Sequence, residues 1–291
     1  MFPSDKLRKL EELAGKLDKS KIFLGSYWAK SRETQNRNSE PGREIIRLEE
    51  TVNGENIELP AGTYYRIRKN LTAVWPEAAS IVQLYKKVMF GAGQLLDLKC
   101  AGHELNALTA ATPPCVTYLD IETCGFSGTS IFLIGWCYFD GENDFVIEQA
   151  LARDYTQEAG ILAAAAERLS ATQVLVTYNG KRFDLPSIME RAIIHRVDVP
   201  QAPTHLDMLL EARKRWKRHL PNCQLQTVEL FLCRRARRGD IDGADIPQVY
   251  HDFVKNLDAR KLKHVIHHNF LDVVTLAEIT IRLLAGEEPE V

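Results

Sequence analysis

The spacing of apolar and polar residues predicts an α/β domain over about residues 113–291. Short apolar runs rich in β-branched residues lie between Gly, Pro or polar turns, which is typical of buried strands. The predicted strands are 116–123, 130–139, 144–151 and 173–178. Helices, predicted from helical spacing of apolar residues, cover 157–169, a stretch from about 184, 205–218 and 259–284. This order predicts a mixed sheet flanked by helices.

Residues 1–112 show a different pattern and are predicted to form a separate α+β extension. Leucines at helical spacing predict an amphipathic helix over 4–18. The stretch 44–71 predicts β structure, with a possible hairpin turn at 53–54. No chemical motif stands out in this part of the sequence, so we expect a structural or partner-binding extension.

Composition narrows the class of protein. The net charge of -2 is close to neutral, so a nucleic-acid-binding surface must be a local patch. The six cysteines form no CxxC pair, which argues against a zinc site or a disulfide framework and for a reducing compartment. No apolar run approaches the roughly 18 residues of a membrane span, and the first residues lack a signal-peptide core. We therefore expect a cytoplasmic protein without a membrane partner.

Two acidic residues interrupt the first predicted strand of the α/β domain. Because side chains alternate across a strand, Asp120 and Glu122 point to one face while Leu119 and Ile121 point to the other. Neighbouring carboxylates repel each other and resist burial, and a divalent cation between them relieves both costs. Mg²⁺ and Mn²⁺ prefer carboxylate oxygens as ligands. An edge strand with a solvated polar face is the alternative interpretation of this segment alone.

Two further acidic residues occur where they can face this strand. Asp184 lies just beyond the fourth predicted strand, where sites form in open α/β sheets, although it could also be a helix N-cap. Asp272 lies among apolar residues of the last predicted helix and needs a partner or a metal. On a continuous helix His268 lies one turn before Asp272 on the same face, whereas His267 lies about 140° away.

Two basic clusters, 213–219 and 234–238, flank these acidic motifs. Such runs are commonly solvated surfaces, but an aromatic residue inside the first one and the suspected metal site nearby favour contact with a phosphate backbone. Asn179, in the loop before Asp184, is expected to order the site or contact the substrate. The residues expected to bind substrate are Thr123, Asn179, Arg213, Arg215, Trp216 and Lys217.

Three segments, 118–123 (YLDIET), 178–184 (YNGKRFD) and 268–272 (HNFLD), resemble the three exonuclease motifs of the DEDD (DnaQ-like) nucleases. More narrowly, the stretch from about 115 to 284 is similar to the YprB-like ribonuclease-H-like domain, with 219–229 and 239–247 resembling its connecting segments. The order of the motifs and the long connectors make this resemblance specific.

The resemblance implies a ribonuclease-H-like mixed five-stranded sheet with flanking helices over 113–291, after the N-terminal extension. It also implies 3′→5′ hydrolysis of phosphodiester bonds with two Mg²⁺ or Mn²⁺ ions. The residues that would hold these ions are Asp120, Glu122, Asp184 and Asp272.

The general base is a choice between two histidines. The family's third motif has either a histidine five residues before its last Asp or a tyrosine four residues before it. Both positions are histidine in this sequence, His267 and His268. The local Asn-x-x-Asp pattern favours the four-residue spacing and therefore His268, with His267 as the alternative.

The sequence thus predicts a metal-dependent 3′→5′ exonuclease that acts on DNA or RNA, with a single-stranded 3′ end as the expected substrate. The N-terminal extension could bind a helicase or repair protein. Two alternatives stay open: a non-catalytic nucleic-acid-binding module of a helicase or repair assembly, and an RNA-directed or structure-specific nuclease. Four acidic residues with no catalytic use would be a burden on folding, which argues against the non-catalytic module.

Overall fold

Strands from both parts of the chain join one sheet in the computed structural model, which describes residues 45–91, 102–125, 128–201 and 203–290. The helix predicted over 4–18 lies outside the described residues. In chain order the strands are β1 (Glu55–Leu59), β2 (Gly62–Asn70), β3 (Val116–Thr123), β4 (Ile131–Phe139), β5 (Phe145–Leu151), β6 (Val174–Thr177) and β7 (Thr204–Asp207). Their order in the seven-stranded sheet is β1-β2-β5-β4-β3-β6-β7. The β3–β6 and β6–β7 pairs are parallel and the other pairs antiparallel.

Helices cover both faces of this sheet. They are α1 (Leu48–Thr51), α2 (Leu71–Val74), α3 (Ala79–Phe90), α4 (His103–Ala110), α5 (Glu158–Ser170), α6 (Asp184–His195), α7 (Met208–Trp216), α8 (Leu225–Val228), α9 (Ile246–Asn256) and α10 (Leu262–Leu284). A membrane-spanning helix, which needs a long apolar stretch, is not found in the described part of the chain.

The sheet has seven strands where the sequence predicted five, because the segment 45–91 contributes β1 and β2. β2 pairs with β5 over six positions, from Tyr65–Leu151 to Asn70–Val146. β5 is buried at six of its seven residues, and pairing with β2 satisfies the backbone groups along its edge. The described part of the N-terminal segment is therefore continuous with the sheet of the α/β domain.

Two local predictions are wrong. The β1–β2 hairpin turns at 60–61, and the predicted turn at 53–54 instead precedes β1. Residues 205–207, predicted as helix, belong to β7, which pairs in parallel with β6. In both places pairing with a neighbouring strand decides the structure, and a signal of two to four residues is too short to reveal it.

Each face of the sheet carries its own hydrophobic cluster. The helices α3, α4, α7 and most of α10 cover the face on which Tyr118, Cys137 and Ile147 lie side by side. The helices α5, α6 and α9 cover the other face, around Leu119. Since side chains alternate along β3, Asp120 lies on the face of Tyr118 and beneath α10.

A buried ion cluster ties α5 to α6 and to the start of β4. The Glu158 side chain is 2% exposed and accepts hydrogen bonds from the Ile131 amide at 2.8 Å and from Arg191 Nη2 at 2.6 Å. His195 Nε2 lies 2.9 Å from the same carboxylate. Burial would raise the pKa of Glu158, but the hydrogen bonds from Arg191 and Ile131 outweigh burial and hold that pKa below its ordinary value.

Glu158→Gln is expected to lower the free energy of unfolding by about 3–5 kcal/mol, because it leaves the largely buried Arg191 guanidinium without a counter-ion. The folded-state pKa of Glu158 lies below the ordinary 4.5, so the wild type keeps this stabilisation above that pH and loses it as the pH falls through the folded-state pKa. Urea unfolding near neutral pH and near pH 4 measures both effects. Glu55→Gln breaks the exposed Glu55–Arg66 pair as a control and should cost under about 1 kcal/mol. An equally small cost for Glu158→Gln would contradict the prediction.

Candidate active site

β3 lies inside the sheet between β4 and β6 and carries two half-buried acidic residues, Asp120 and Glu122. Alternation along the strand turns both toward α10. From this helix Asn269 donates a hydrogen bond from Nδ2 to Asp120 Oδ2 at 2.8 Å. The first acidic motif therefore meets the last predicted helix, as the sequence interpretation requires.

A row of three residues across the sheet shapes the place where Asn269 binds. Asp120, Gly135 and Gln149 lie opposite one another on β3, β4 and β5. While Nδ2 of Asn269 donates to Asp120, its Oδ1 accepts from Gln149 Nε2 at 2.9 Å. A Cβ atom at position 135 would lie 1.9 Å from Asn269 Oδ1, so glycine alone leaves room for this bridge. The position of Asp120 thus depends on a close approach of helix and sheet.

Asp184 is the first residue of α6 and is only 4% exposed. The loop that leads to it is held by Asp207 at the end of β7, which accepts hydrogen bonds from the amides of Asn179 at 2.8 Å and Lys181 at 3.2 Å. Asn179 has a left-handed backbone with a φ of 69°, which asparagine tolerates better than most residues. The N-cap position of α6 is Phe183, so Asp184 is not its N-cap.

The helix α10 is unbroken, as predicted, and places two site residues on one face. His268 Nε2 lies 3.3 Å from Asp272 Oδ2, and His268 Nδ1 lies 2.9 Å from Asp240 Oδ2. The other oxygen of Asp272, Oδ1, lies 2.5 Å from Arg237 Nη1. His268 therefore lies between two carboxylates, and Asp272 lies between two basic side chains.

Burial and mutual repulsion raise the pKa values of three of the four predicted ligands. Burial raises the pKa of Asp120 well above its ordinary value, and the neighbouring carboxylates raise it further. Burial also raises the pKa of Glu122 to about 8, with the charge of His268 opposing the effect of the other acids. The pKa of Asp184 rises to about 7 because of burial, although backbone hydrogen bonds oppose the rise. Since Asp272 contributes to all three shifts, the four carboxylates form one electrostatic site.

The two histidines have opposite environments. Burial lowers the pKa of His268, but the hydrogen bond with Asp240 and the charge of Asp272 outweigh burial and raise the pKa to about 9. Burial lowers the pKa of His267 to about 3, so this ring is neutral near neutral pH. His268 thus carries a proton that offsets part of the carboxylate charge, and its face of α10 is the one that the four-residue spacing predicts.

The donor set fits a hard divalent cation by its chemistry. Four carboxylates offer the oxygen ligands that Mg²⁺ and Mn²⁺ prefer, and positive charge among them would offset the repulsion that raises their pKa values. Among the described residues, no three His, Cys, Asp or Glu side chains already surround one metal position. In this arrangement Asn269 binds Asp120 and Arg237 binds Asp272, and a cation would share or replace these contacts.

The predicted substrate-binding residues differ in their exposure. Thr123, at the end of β3, is half-buried and donates from Oγ1 to the Gly125 carbonyl at 2.6 Å. Arg213 and Lys217 are exposed at the end of α7, whereas Arg215 is half-buried and pairs with Glu211. Arg213 and Lys217 therefore remain available to a ligand, as do the exposed Lys214 and Arg218 of the same cluster.

Trp216 does not belong to this surface. Its ring is 0% exposed, and its Nε1 donates to Glu288 Oε2 at 2.9 Å. The prediction that Trp216 contacts substrate is wrong, because a ring buried in the hydrophobic core cannot stack on a base. An aromatic residue inside a basic run can lie on the buried face of its helix, and the local sequence does not reveal which face is buried.

Two of the four arginines in the second basic cluster are internal. The side chains of Arg235 and Arg237 are 5% exposed and form ion pairs with Glu229, at 2.6 Å each. The expectation that this cluster contacts phosphate is therefore wrong for these two residues, while Arg234 and Arg238 are exposed. The acidic partners of Arg235 and Arg237 lie on other turns and helices. The basic run alone therefore does not show that these two arginines are internal while Arg234 and Arg238 are exposed.

Several residues that shape the site are not among those predicted from the sequence. Contacts such as His268–Asp240 and Asn269–Asp120 join positions 28 and 149 residues apart, so they leave no local pattern. Asn269 did offer one signal, its position inside the third motif. The residues added by the structure are Gly135, Gln149, Arg237, Asp240 and Asn269.

Comparisons with known proteins support this fold. The RNase_H_2 family profile, described as RNase_H superfamily, matches residues 117–284. The chain is 33% identical over 171 residues to "Uncharacterized protein YprB" of Bacillus subtilis (strain 168), covering 57% of this chain and 41% of that protein. The chain thus spans less than half of this relative. The solved structure of the family B DNA polymerase from Pyrobaculum calidifontis is also similar, with a TM-score of 0.46 and 20% identity over 58% of this chain and 24% of the polymerase chain.

The family match extends from β3 to the end of α10 and so includes all four carboxylates and His268. Because the match covers more than half of the chain and the sheet has the predicted α/β organisation, the protein belongs to the RNase_H superfamily and contains a YprB-like ribonuclease-H-like domain.

Proposed function

We propose that this protein is a metal-dependent nuclease that hydrolyses phosphodiester bonds from a 3′ end. The observation that carries the proposal is the gathering of four acidic residues from β3, α6 and α10, three of which have raised pKa values. Such a group of partly desolvated carboxylates destabilises the folded state unless cations or other partners offset its charge. Binding of cations for phosphodiester hydrolysis is a use that fits the superfamily.

Asp120, Glu122, Asp184 and Asp272 would hold two Mg²⁺ or Mn²⁺ ions. When bound, such ions lower the pKa of water and stabilise the attacking and leaving oxygens of a phosphodiester. The protein supplies the oxygen ligands and a fixed geometry, since the acids belong to a central strand and to two packed helices.

His268 is the proposed general base. Asp240 binds its Nδ1, so Nε2 faces Asp272 and the centre of the site. The neighbouring carboxylates keep this ring protonated in the ion-free protein, with a pKa of about 9. Positive charge among those carboxylates would remove part of this effect and let Nε2 accept a proton from water.

The exposed cations at the end of α7 are the proposed path for the nucleic-acid backbone. Burial raises the pKa of Tyr178, and Arg213 lies close enough to oppose that rise. Tyr178 directly precedes Asn179, in the loop that leads to Asp184. Phosphates bound near Arg213 would therefore lie near the loop that leads to Asp184.

The finer features of the proposal extend the motif resemblance. These are the 3′→5′ direction, the two-ion mechanism and a single-stranded 3′ end of DNA or RNA as substrate. A helicase or repair partner for the N-terminal segment stays a prediction.

Digestion of end-labelled single- and double-stranded DNA and RNA, with Mg²⁺ and with Mn²⁺, tests the proposed activity. The wild type is expected to give products that shorten from the 3′ end. Asp120→Asn should reduce cleavage by at least about 100-fold, because loss of a ligand exceeds the 10–100-fold typical of outer-shell changes. With chelator present, this variant should be at least as stable as the wild type, because the raised pKa shows that the charge of Asp120 opposes folding. Absence of cleavage on every substrate, or an unchanged Asp120→Asn, would contradict the proposal.

The two histidines can be separated by single substitutions. His268→Ala should slow single-turnover cleavage by about 10²–10⁴-fold, since a general base contributes on that order. His267→Ala should stay near the wild-type rate, because its ring is neutral and lies on another face of α10. The opposite ranking would assign the base to the five-residue spacing.

Replacing Arg213, Lys214 and Lys217 with Gln should weaken binding of single-stranded nucleic acid about equally for all sequences. Loss of three phosphate contacts should flatten the slope of log affinity against log salt by about 2. The control replaces three exposed cations on other elements, Arg68, Lys87 and Lys255. Fluorescence anisotropy at several salt concentrations measures both triple variants. Equal slopes for the wild type and the α7 variant would show that this cluster is only a solvated surface.

A further inference from the structure

Arg237 makes three ionic contacts although its side chain is only 5% exposed. Its Nε lies 2.6 Å from Glu229 Oε2. Its Nη1 lies 2.5 Å from Asp272 Oδ1 and 3.2 Å from Asp240 Oδ2. One planar guanidinium therefore binds a proposed metal ligand and the residue that holds the proposed general base.

Glu229 anchors this guanidinium. It is 0% exposed, and its Oε1 accepts from Thr275 Oγ1 at 2.9 Å and from Arg235 Nε at 2.6 Å. Arg235 lies 4.9 Å from the centre of the Trp75 ring and pairs with Glu278 at 2.5 Å. Because α10 and the N-terminal segment hold this anchor from two sides, the guanidinium has little freedom to move.

We propose that Arg237 is a positioning residue that holds Asp272 in the orientation in which it binds a cation. The inference rests on the proposed function, since it gives Asp272 the role of a ligand. Arg237 pairs with Oδ1 and leaves Oδ2 3.3 Å from His268 Nε2. Through Asp240 the same Nη1 also fixes His268, so ligand and base keep one relative position.

The sign of the effect on cation affinity separates positioning from simple charge. A positive charge beside the site repels a metal ion, so a pure charge effect would make Arg237→Met bind cations more tightly. Loss of an outer-shell partner typically weakens metal affinity by about 10–100-fold. The positioning role therefore predicts weaker binding in spite of the removed positive charge. Arg237→Lys keeps the charge but loses the fork that reaches three acids, so it should also bind more weakly.

The experiment measures Mn²⁺ binding to the full chain by titration calorimetry, beside single-turnover cleavage. Arg237→Met and Arg237→Lys are each expected to weaken Mn²⁺ binding by about 10–100-fold and to slow cleavage. Arg238→Met removes an exposed arginine next to it and is the matched control, with near wild-type binding. Urea unfolding of each variant in chelator identifies any that fails to fold. If Arg237→Met does not fold, Arg237→Lys, which retains the buried charge, tests the proposal instead.

A double-mutant cycle tests whether Arg237 acts through Asp272. If it does, Arg237→Met in an Asp272→Asn background should change Mn²⁺ affinity by less than about twofold. Suppose that the wild type binds Mn²⁺ and cleaves. Tighter or unchanged Mn²⁺ binding by Arg237→Met, or full additivity in the cycle, would then overturn the positioning role alone. A wild type that neither binds Mn²⁺ nor cleaves would overturn the proposed function itself, and this inference with it.

Discussion

The repulsion among four carboxylates is the constraint around which this structure is arranged. Each acid that approaches the others must be held by a separate contact, because burial weakens the screening that water would provide. Asn269 donates to Asp120, Arg237 pairs with Asp272, and backbone amides oppose the pKa rise of Asp184. The charge of His268 likewise opposes the pKa rise of Glu122. These contacts come from different elements, so the site exists only when the whole domain is folded.

The helix α10 joins most of these contacts. It presents Asn269 to the sheet, and it presents His268 and Asp272 to the acids of β3 and α6. It can approach β4 closely because Gly135 has no side chain at the crossing point. Thr275, about one turn after Asp272 on this helix, donates a hydrogen bond to the Glu229 that anchors Arg237. A single helix thus couples the packing of the core to the geometry of the site.

The described part of the N-terminal segment takes part in this arrangement at two places. Its strand β2 covers β5, which carries Gln149 of the row beneath Asn269. Its Trp75 ring lies against Arg235, which shares Glu229 with Arg237. A segment without a chemical motif of its own therefore supports the acidic site from outside. Because these contacts run through strand pairing and a buried ion network, they depend on the fold and not on a local sequence pattern.

The sequence by itself determined the α/β class, the strand with Asp120 and Glu122, and the helix on which His268 precedes Asp272 by one turn. Apolar residues repeat about every 2 positions in a half-buried strand and every 3.6 in a helix. These patterns are local, so they can be recognised in the sequence without the tertiary contacts. The tertiary structure decided which strands join the sheet and which basic residues reach solvent. Trp216 and Arg237 lie in runs that resemble an exposed surface, yet both are enclosed. Burial depends on partners far away in the chain, and a window of a few residues does not contain them.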